Sequence, residues 1–186
     1  MSRPATVGGD ERVRLFLALE LPDAVSHGLR RWTASYLAQA RAVESHHVTL
    51  AFLGSRLTSE IEATLDALRA AAAAARAFPL EVAGYRETRS VGMLVLDDPS
   101  GEAGRLATDL QSRLEDLGVY RRERRPWLPH VTVVRFRQRL GLEPPLPELG
   151  PFTPSAVAAF LSRLHPSGAR YEVLESCPLE AIGPGG

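Results

Sequence analysis

Apolar positions along this chain switch between strand-like runs and helical stripes, and the switch occurs in the same order twice. Val13 to Leu19 is a nearly unbroken apolar run that predicts a strand, closed by Leu21-Pro22-Asp23, where Asp23 is placed to cap a helix. Val25, Leu29, Trp32 and Tyr36 then recur at helical spacing. A second apolar, β-branched run, His47-Val-Thr-Leu-Ala-Phe-Leu53, stops at Gly54. Thr58 to Glu62 opens another helix, with Ser59 and Glu62 in capping-box spacing, Ile61, Leu65 and Leu68 on its buried face, and an alanine run at 70–75 that carries it to Phe78-Pro79. Strands are predicted at 80–85 and 91–96, and a helix at 101–117, with Leu106, Leu110, Leu114 and Leu117 on one side and Gly118 as its stop. The run His130-Val-Thr-Val-Val-Arg-Phe136 follows, then a Pro-rich stretch from Gly141 to Pro154 of the long-loop kind that often carries function. Two more strands, 156–161 and 170–174, are joined by a turn at His165-Pro166-Ser167-Gly168.

Each half thus reads strand, helix, apolar strand. The expected architecture is α+β: a bilobal, pseudo-twofold duplication with antiparallel sheets lining a central cleft and helices outside. The two strands that end the halves carry the same tetrapeptide pattern, His47-Val-Thr-Leu50 and His130-Val-Thr-Val133. Side chains alternate along a strand, so each His shares a face with its Thr. Strict alternation turns Val48, Leu50 and Phe52 toward the core in the first copy, and Val131 and Val133 in the second. An imidazole titrates near neutral pH, and a threonine hydroxyl donates a hydrogen bond to an anion. Two such pairs across a pseudo-twofold would flank one point from opposite sides, as base and acid do in an in-line displacement at phosphorus.

Composition narrows the picture. The chain has 186 residues, 45% hydrophobic and 24% charged, which suits one domain, expected over 13–182, with loose tails at 1–12 and 183–186. No signal-like segment and no membrane span is predicted, and Cys177 is alone, so a cytoplasmic protein is expected, and a monomer. The formal net charge of zero argues against bulk nucleic-acid binding. All 22 basic residues are nevertheless arginines, and Arg121, Arg122, Arg124, Arg125, Arg135, Arg137 and Arg139 surround the second motif, as either a solvated face or a rim that attracts phosphate. Neither motif brings a second ligand on its own face, so neither a metal nor another cofactor is expected; His46 reads as a strand-entry residue, and His27 and His165 have no partner pattern. Phe52, Trp127 and Phe136 are candidates to stack on a base, with Trp127 preferred because it lies in a Pro-bounded loop and Phe52 falls on the core face.

The doubled His-x-Thr-x, about 80 residues apart, together with Arg14-Leu-Phe-Leu-Ala-Leu-Glu-Leu-Pro22, His47 to Gly54, Pro129 to Arg135 and Ser162 to Tyr171, resembles the two-histidine (2H) phosphoesterases. Among these the chain is most similar to the RNA 2′,3′-cyclic phosphodiesterases, also described as 2′-5′ RNA ligases. The resemblance implies metal-free hydrolysis of an RNA-terminal 2′,3′-cyclic phosphate to a 2′-phosphomonoester, with His47 as acid, His130 as base, and Thr49 and Thr132 on the phosphate oxygens. It also implies Arg135 as a charged clamp. Arg135 lies five residues beyond His130, on the wrong face by alternation, so a bulge or strand end has to turn it inward. The same residues would serve ligation if an RNA 5′-hydroxyl replaced water. A non-catalytic RNA-binding module, and a phosphodiesterase acting on small cyclic nucleotides, are the alternatives.

Overall fold

The computed structural model describes residues 11–165 and 168–179. In chain order the elements are β1 (Arg12–Glu20), α1 (Asp23–Tyr36), β2 (Arg41–Ala42), β3 (His47–Leu57), a 3-10 turn (Thr58–Glu60), α2 (Ile61–Ala74), β4 (Glu81–Glu87), β5 (Val91–Asp97), α3 (Glu102–Asp116), β6 (His130–Arg135), β7 (Ala156–His165) and β8 (Gly168–Pro178). All eight strands belong to one antiparallel sheet, ordered β4-β5-β6-β3-β1-β7-β8, with β2 added on β6. The α+β expectation holds. The two halves are parts of one continuous sheet, joined at its centre where β3 meets β6 through the pair Val48↔Val131.

The duplication is visible in the topology. β1-α1-β3 and β5-α3-β6 follow the same path, and each motif strand is flanked on its outer side by the strand that opens its own half. The helices cross over: α1 packs on β6 and α3 on β3, so each half covers the motif strand of the other. All three helices bury their stripes in one core with the odd-numbered face of β1, Leu15, Leu17 and Leu19, and that core occupies a single face of the sheet. The opposite face is left for chemistry.

Local details depart from the pattern in instructive ways. Pro22, not Asp23, holds the N-cap position of α1, and no side chain caps it; Asp23 is the first helical residue, where its charge suits the helix dipole. Before α2 the cap is made by Glu60, whose carboxylate accepts the Leu57 N–H at 2.7 Å, in place of the expected Ser59–Glu62 box. α2 ends at Ala74, earlier than the alanine run suggests, while Gly118 stops α3 as expected with φ +71°. Of the tails expected at 1–12 and 183–186, only Glu11 and Arg12 are among the described residues, and Arg12 already belongs to β1. Pro166 and Ser167, the centre of the turn expected at 165–168, lie outside them.

The Pro-rich stretch after β6 is a strap. Trp32 of α1 donates its indole N–H to the Pro145 carbonyl at 2.8 Å, and Leu149 sits so close to Gly28 that a Cβ there would lie 2.6 Å from its Cδ2. At the start of the strap the Glu87 carboxylate accepts the N–H groups of Leu140, Gly141 and Leu142 at 3.1, 2.7 and 3.0 Å and the Tyr85 hydroxyl at 3.2 Å. Burial alone would raise its pKa, but the N–H groups of Leu142 and Gly141, the Tyr85 hydroxyl and the Leu140 N–H outweigh burial and hold the carboxyl below its usual range. Among the described residues no helix is long and apolar enough to cross a membrane.

Candidate active site

On the face of the sheet away from the helices lies a cavity of about 1010 Å³, and His47, Thr49, His130 and Thr132 all line it, together with Arg135 and Phe52. Its size suits a nucleotide. The antiparallel pairing at Val48↔Val131 sets His47 beside Thr132 and Thr49 beside His130, so each imidazole neighbours the hydroxyl of the other motif.

Both motif strands share one further device. From His47 to Phe52 and from His130 to Arg135 the burial sequence is the same: half-buried, buried, half-buried, two buried in succession, exposed. The doubled buried position is a β-bulge. Against β1, Leu17 pairs with Ala51 and Ala18 with Thr49, which leaves Leu50 as the extra residue; against β5, Gly92 pairs with Val134 and Met93 with Thr132, which leaves Val133. Each bulge shifts the alternation by one, so the residue five beyond the histidine returns to the cavity face. Arg135 arrives there by this route. Phe52 does too, and the expectation that it lies in the core is corrected: it is 52% exposed and lines the cavity.

A bulge frees backbone groups that need new partners. In the first motif the Leu50 carbonyl accepts the buried Gln111 amide at 2.8 Å and the Thr49 carbonyl accepts the Trp127 indole N–H at 3.0 Å. In the second, the Val133 carbonyl accepts the Val43 N–H at 2.9 Å, and β5 offers Gly92, where a Cβ would lie 2.6 Å from a Val134 methyl. Trp127 is therefore placed otherwise than a base-stacking role requires: its ring packs on the core, pins the first bulge from behind and is not among the residues lining the cavity. Phe136 likewise packs toward the core, at the rim of a neighbouring smaller cavity. Gln111→Leu, which strands a buried carbonyl, is expected to lower stability by about 1–3 kcal/mol in denaturant titrations.

The two imidazoles sit in unlike surroundings. Nδ1 of His130 lies 2.9 Å from the Leu128 carbonyl, which can only accept; Nδ1 therefore carries a hydrogen in either charge state, and Nε2 is the nitrogen left to exchange a proton with the cavity. His47 is held by packing instead. Phe16 (centroids 4.9 Å), Phe160 (5.8 Å) and Tyr171 (5.5 Å, edge-on) surround its ring, with Phe16 and Phe160 stacked on each other, and its Nδ1 is buried without a well-formed hydrogen bond. Burial first, then the positive neighbours His46, His130 and Arg135, lower the His47 pKa to about 4, with only the Ser45 backbone acting the other way. The aromatic residues come from β1, β7 and β8, and no local signal in the sequence announced them. His46 is buried on the far side, its pKa lowered to about 4 by burial and by Arg30; among the described residues neither of its ring nitrogens has a hydrogen-bond partner. Among the described residues no three His, Cys, Asp or Glu side chains converge on a point where a metal ion would sit.

The fold has counterparts. Escherichia coli LigT in its apo form superposes with a TM-score of 0.76 at 24% identity, over 91% of this chain and 99% of that one. TT0787 of Thermus thermophilus gives 0.78 at 25% identity over the same shares. The more distant MHV ns2 PDE domain gives 0.54 at 13% identity, over 88% of this chain and 99% of that one. No curated protein matches the sequence. The sequence model of the 2′-5′ RNA ligase superfamily matches residues 21–163, and the chain, with its paired histidine motifs on one cleft, belongs to that superfamily of two-histidine phosphoesterases.

Proposed function

We propose that this phosphoesterase hydrolyses RNA-terminal 2′,3′-cyclic phosphates to 2′-phosphomonoesters without a metal ion. The observation that carries the reading is the inequality of two histidines on one cavity: His130, with Nδ1 committed to the Leu128 carbonyl, has only Nε2 left to act as a base, and His47, poor at holding a proton, is a strong acid once it has one. His130 takes a proton from water as its oxygen attacks phosphorus. The bond from phosphorus to O3′ breaks, and His47 delivers its proton to that oxygen. Thr49 and Thr132 donate to the non-bridging oxygens, and the Arg135 guanidinium offsets their charge. Exposed Phe52 lines the cavity, with the Arg14 guanidinium 5.6 Å from its centroid. Crystal structures of E. coli LigT with 3′-AMP and with phosphate are in keeping with a phosphate-binding cleft in this fold.

The test is incubation with a short RNA ending in a 2′,3′-cyclic phosphate in the presence of EDTA, followed by identification of the terminus. A 2′-phosphate formed at an undiminished rate is expected. A 3′-phosphate as main product exchanges the roles of acid and base, and loss of turnover in EDTA points to a metal-bound hydroxide instead.

A further inference from the structure

We propose that the groove leading away from the catalytic cavity past Arg41 and Arg135 is a second phosphate subsite, which takes the phosphodiester on the 5′ side of the terminal nucleotide and makes an oligonucleotide end the preferred substrate. The proposal rests on the hydrolytic reading above and extends it to substrate class. Arg41 and Arg135 are direct cross-strand partners between β2 and β6, an arrangement that brings two guanidinium-bearing side chains to one point of the rim of a cavity that Glu44 also lines. Both also line a second cavity of about 430 Å³, so this pair borders the two spaces. Arg137, Gln138 and Gln39 continue the lining, and no acidic residue is among the described residues that form it. The guanidinium and amide groups of this lining suit a phosphodiester backbone.

The direction of the reaction places the chain on this side. β3 and β6 run antiparallel, so of the two histidines His47 lies nearer the Arg135 end of the cleft and His130 nearer the Phe52 end. In an in-line displacement water enters beside the base and the leaving O3′ departs beside the acid. The ribose that carries O3′, with the RNA attached to its 5′ oxygen, is thereby directed toward Arg41, Arg135 and Arg137.

The experiment compares kcat/KM for a trinucleotide ending in a 2′,3′-cyclic phosphate with that for a mononucleoside 2′,3′-cyclic phosphate, in the wild type and in Arg137→Gln, an exposed residue outside the catalytic cavity. The wild type is expected to prefer the trinucleotide. Arg137→Gln is expected to lower trinucleotide kcat/KM by about tenfold, to change the mononucleotide value by less than about twofold, and to be largely rescued by Arg137→Lys. The slope of log(kcat/KM) against log[salt] for the trinucleotide should fall by about 0.7, one phosphate contact on a single strand. Equal losses on both substrates, or none, overturn the subsite. A wild type that cleaves both substrates equally well overturns the subsite alone, whereas one that cleaves neither overturns the hydrolytic reading on which it stands.

Discussion

His47→Ala and His130→Ala are each expected to slow cyclic-phosphate hydrolysis by about 10²- to 10⁴-fold, the usual consequence of losing one positioned acid or base. The proton inventory requires both groups: water has to lose a proton as it attacks, and O3′ has to gain one as it leaves. The double variant should be little slower than the worse single one, because a base without its acid, or the reverse, no longer completes the displacement. His130 is half exposed to the cavity and its removal should leave the unfolding midpoint almost unchanged. His47 fills an aromatic enclosure, so His47→Gln, which keeps bulk and a polar end, serves as the control for packing. Turnover close to wild type in either histidine variant, with the fold confirmed by circular dichroism, would end the two-histidine mechanism.

How far the sequence carried this site follows from which contacts are local. His and Thr two apart share a strand face whatever the partner strand does, and the sheet places all four together at the cavity. The bulges are different. A bulge is a mismatch of two residues against one on a neighbouring strand, so it belongs to pairing and not to any single segment. Arg135, five residues past its histidine, could be recognised as requiring one; Phe52 occupies the same offset in the first motif, and the same correction applied there would have moved it out of the core and into the cleft. Trp127 was misjudged for a related reason, since only the freed Thr49 carbonyl explains where its indole points. The Pro-rich stretch illustrates the converse: its length suggested function, but its carbonyl and N–H groups are held by Trp32 and Glu87, which lie far away in sequence. β2, two residues long, has no periodicity to detect, yet it brings Arg41 opposite Arg135.

The second large effect concerns pH, and it separates catalysis from stability. In the free protein His47 stays neutral until the pH falls to about 4, so at neutral pH its catalytic proton has to be taken up along with the substrate. An anionic phosphate beside the ring favours the charged form, opposing burial and the repulsion from His46, His130 and Arg135. In ¹⁵N-detected titrations His47 is therefore expected to titrate near 4 alone and distinctly higher with inorganic phosphate bound, and phosphate should bind more tightly as the pH is lowered toward that value. Opening the enclosure with Phe16→Ala should raise the pKa in the free protein, since it rehydrates the ring. Stability moves with the same protons. His46 and His47 both have folded pKa values near 4 against about 6.5 for an unfolded histidine, so the unfolded chain binds the extra protons between those limits. Stability is then full above about pH 6.5 and is lost as the pH falls toward 4, by up to about 1.4 kcal/mol per pH unit for each histidine. Denaturant midpoints measured across that window should flatten by more than half in His46→Gln, which removes one of the two groups and relieves its repulsion on His47 without altering a residue of the cavity lining. A His47 resonance that titrates near 6.5 in the free protein, and does not shift with phosphate, would show that the aromatic enclosure does not set the acidity of this group.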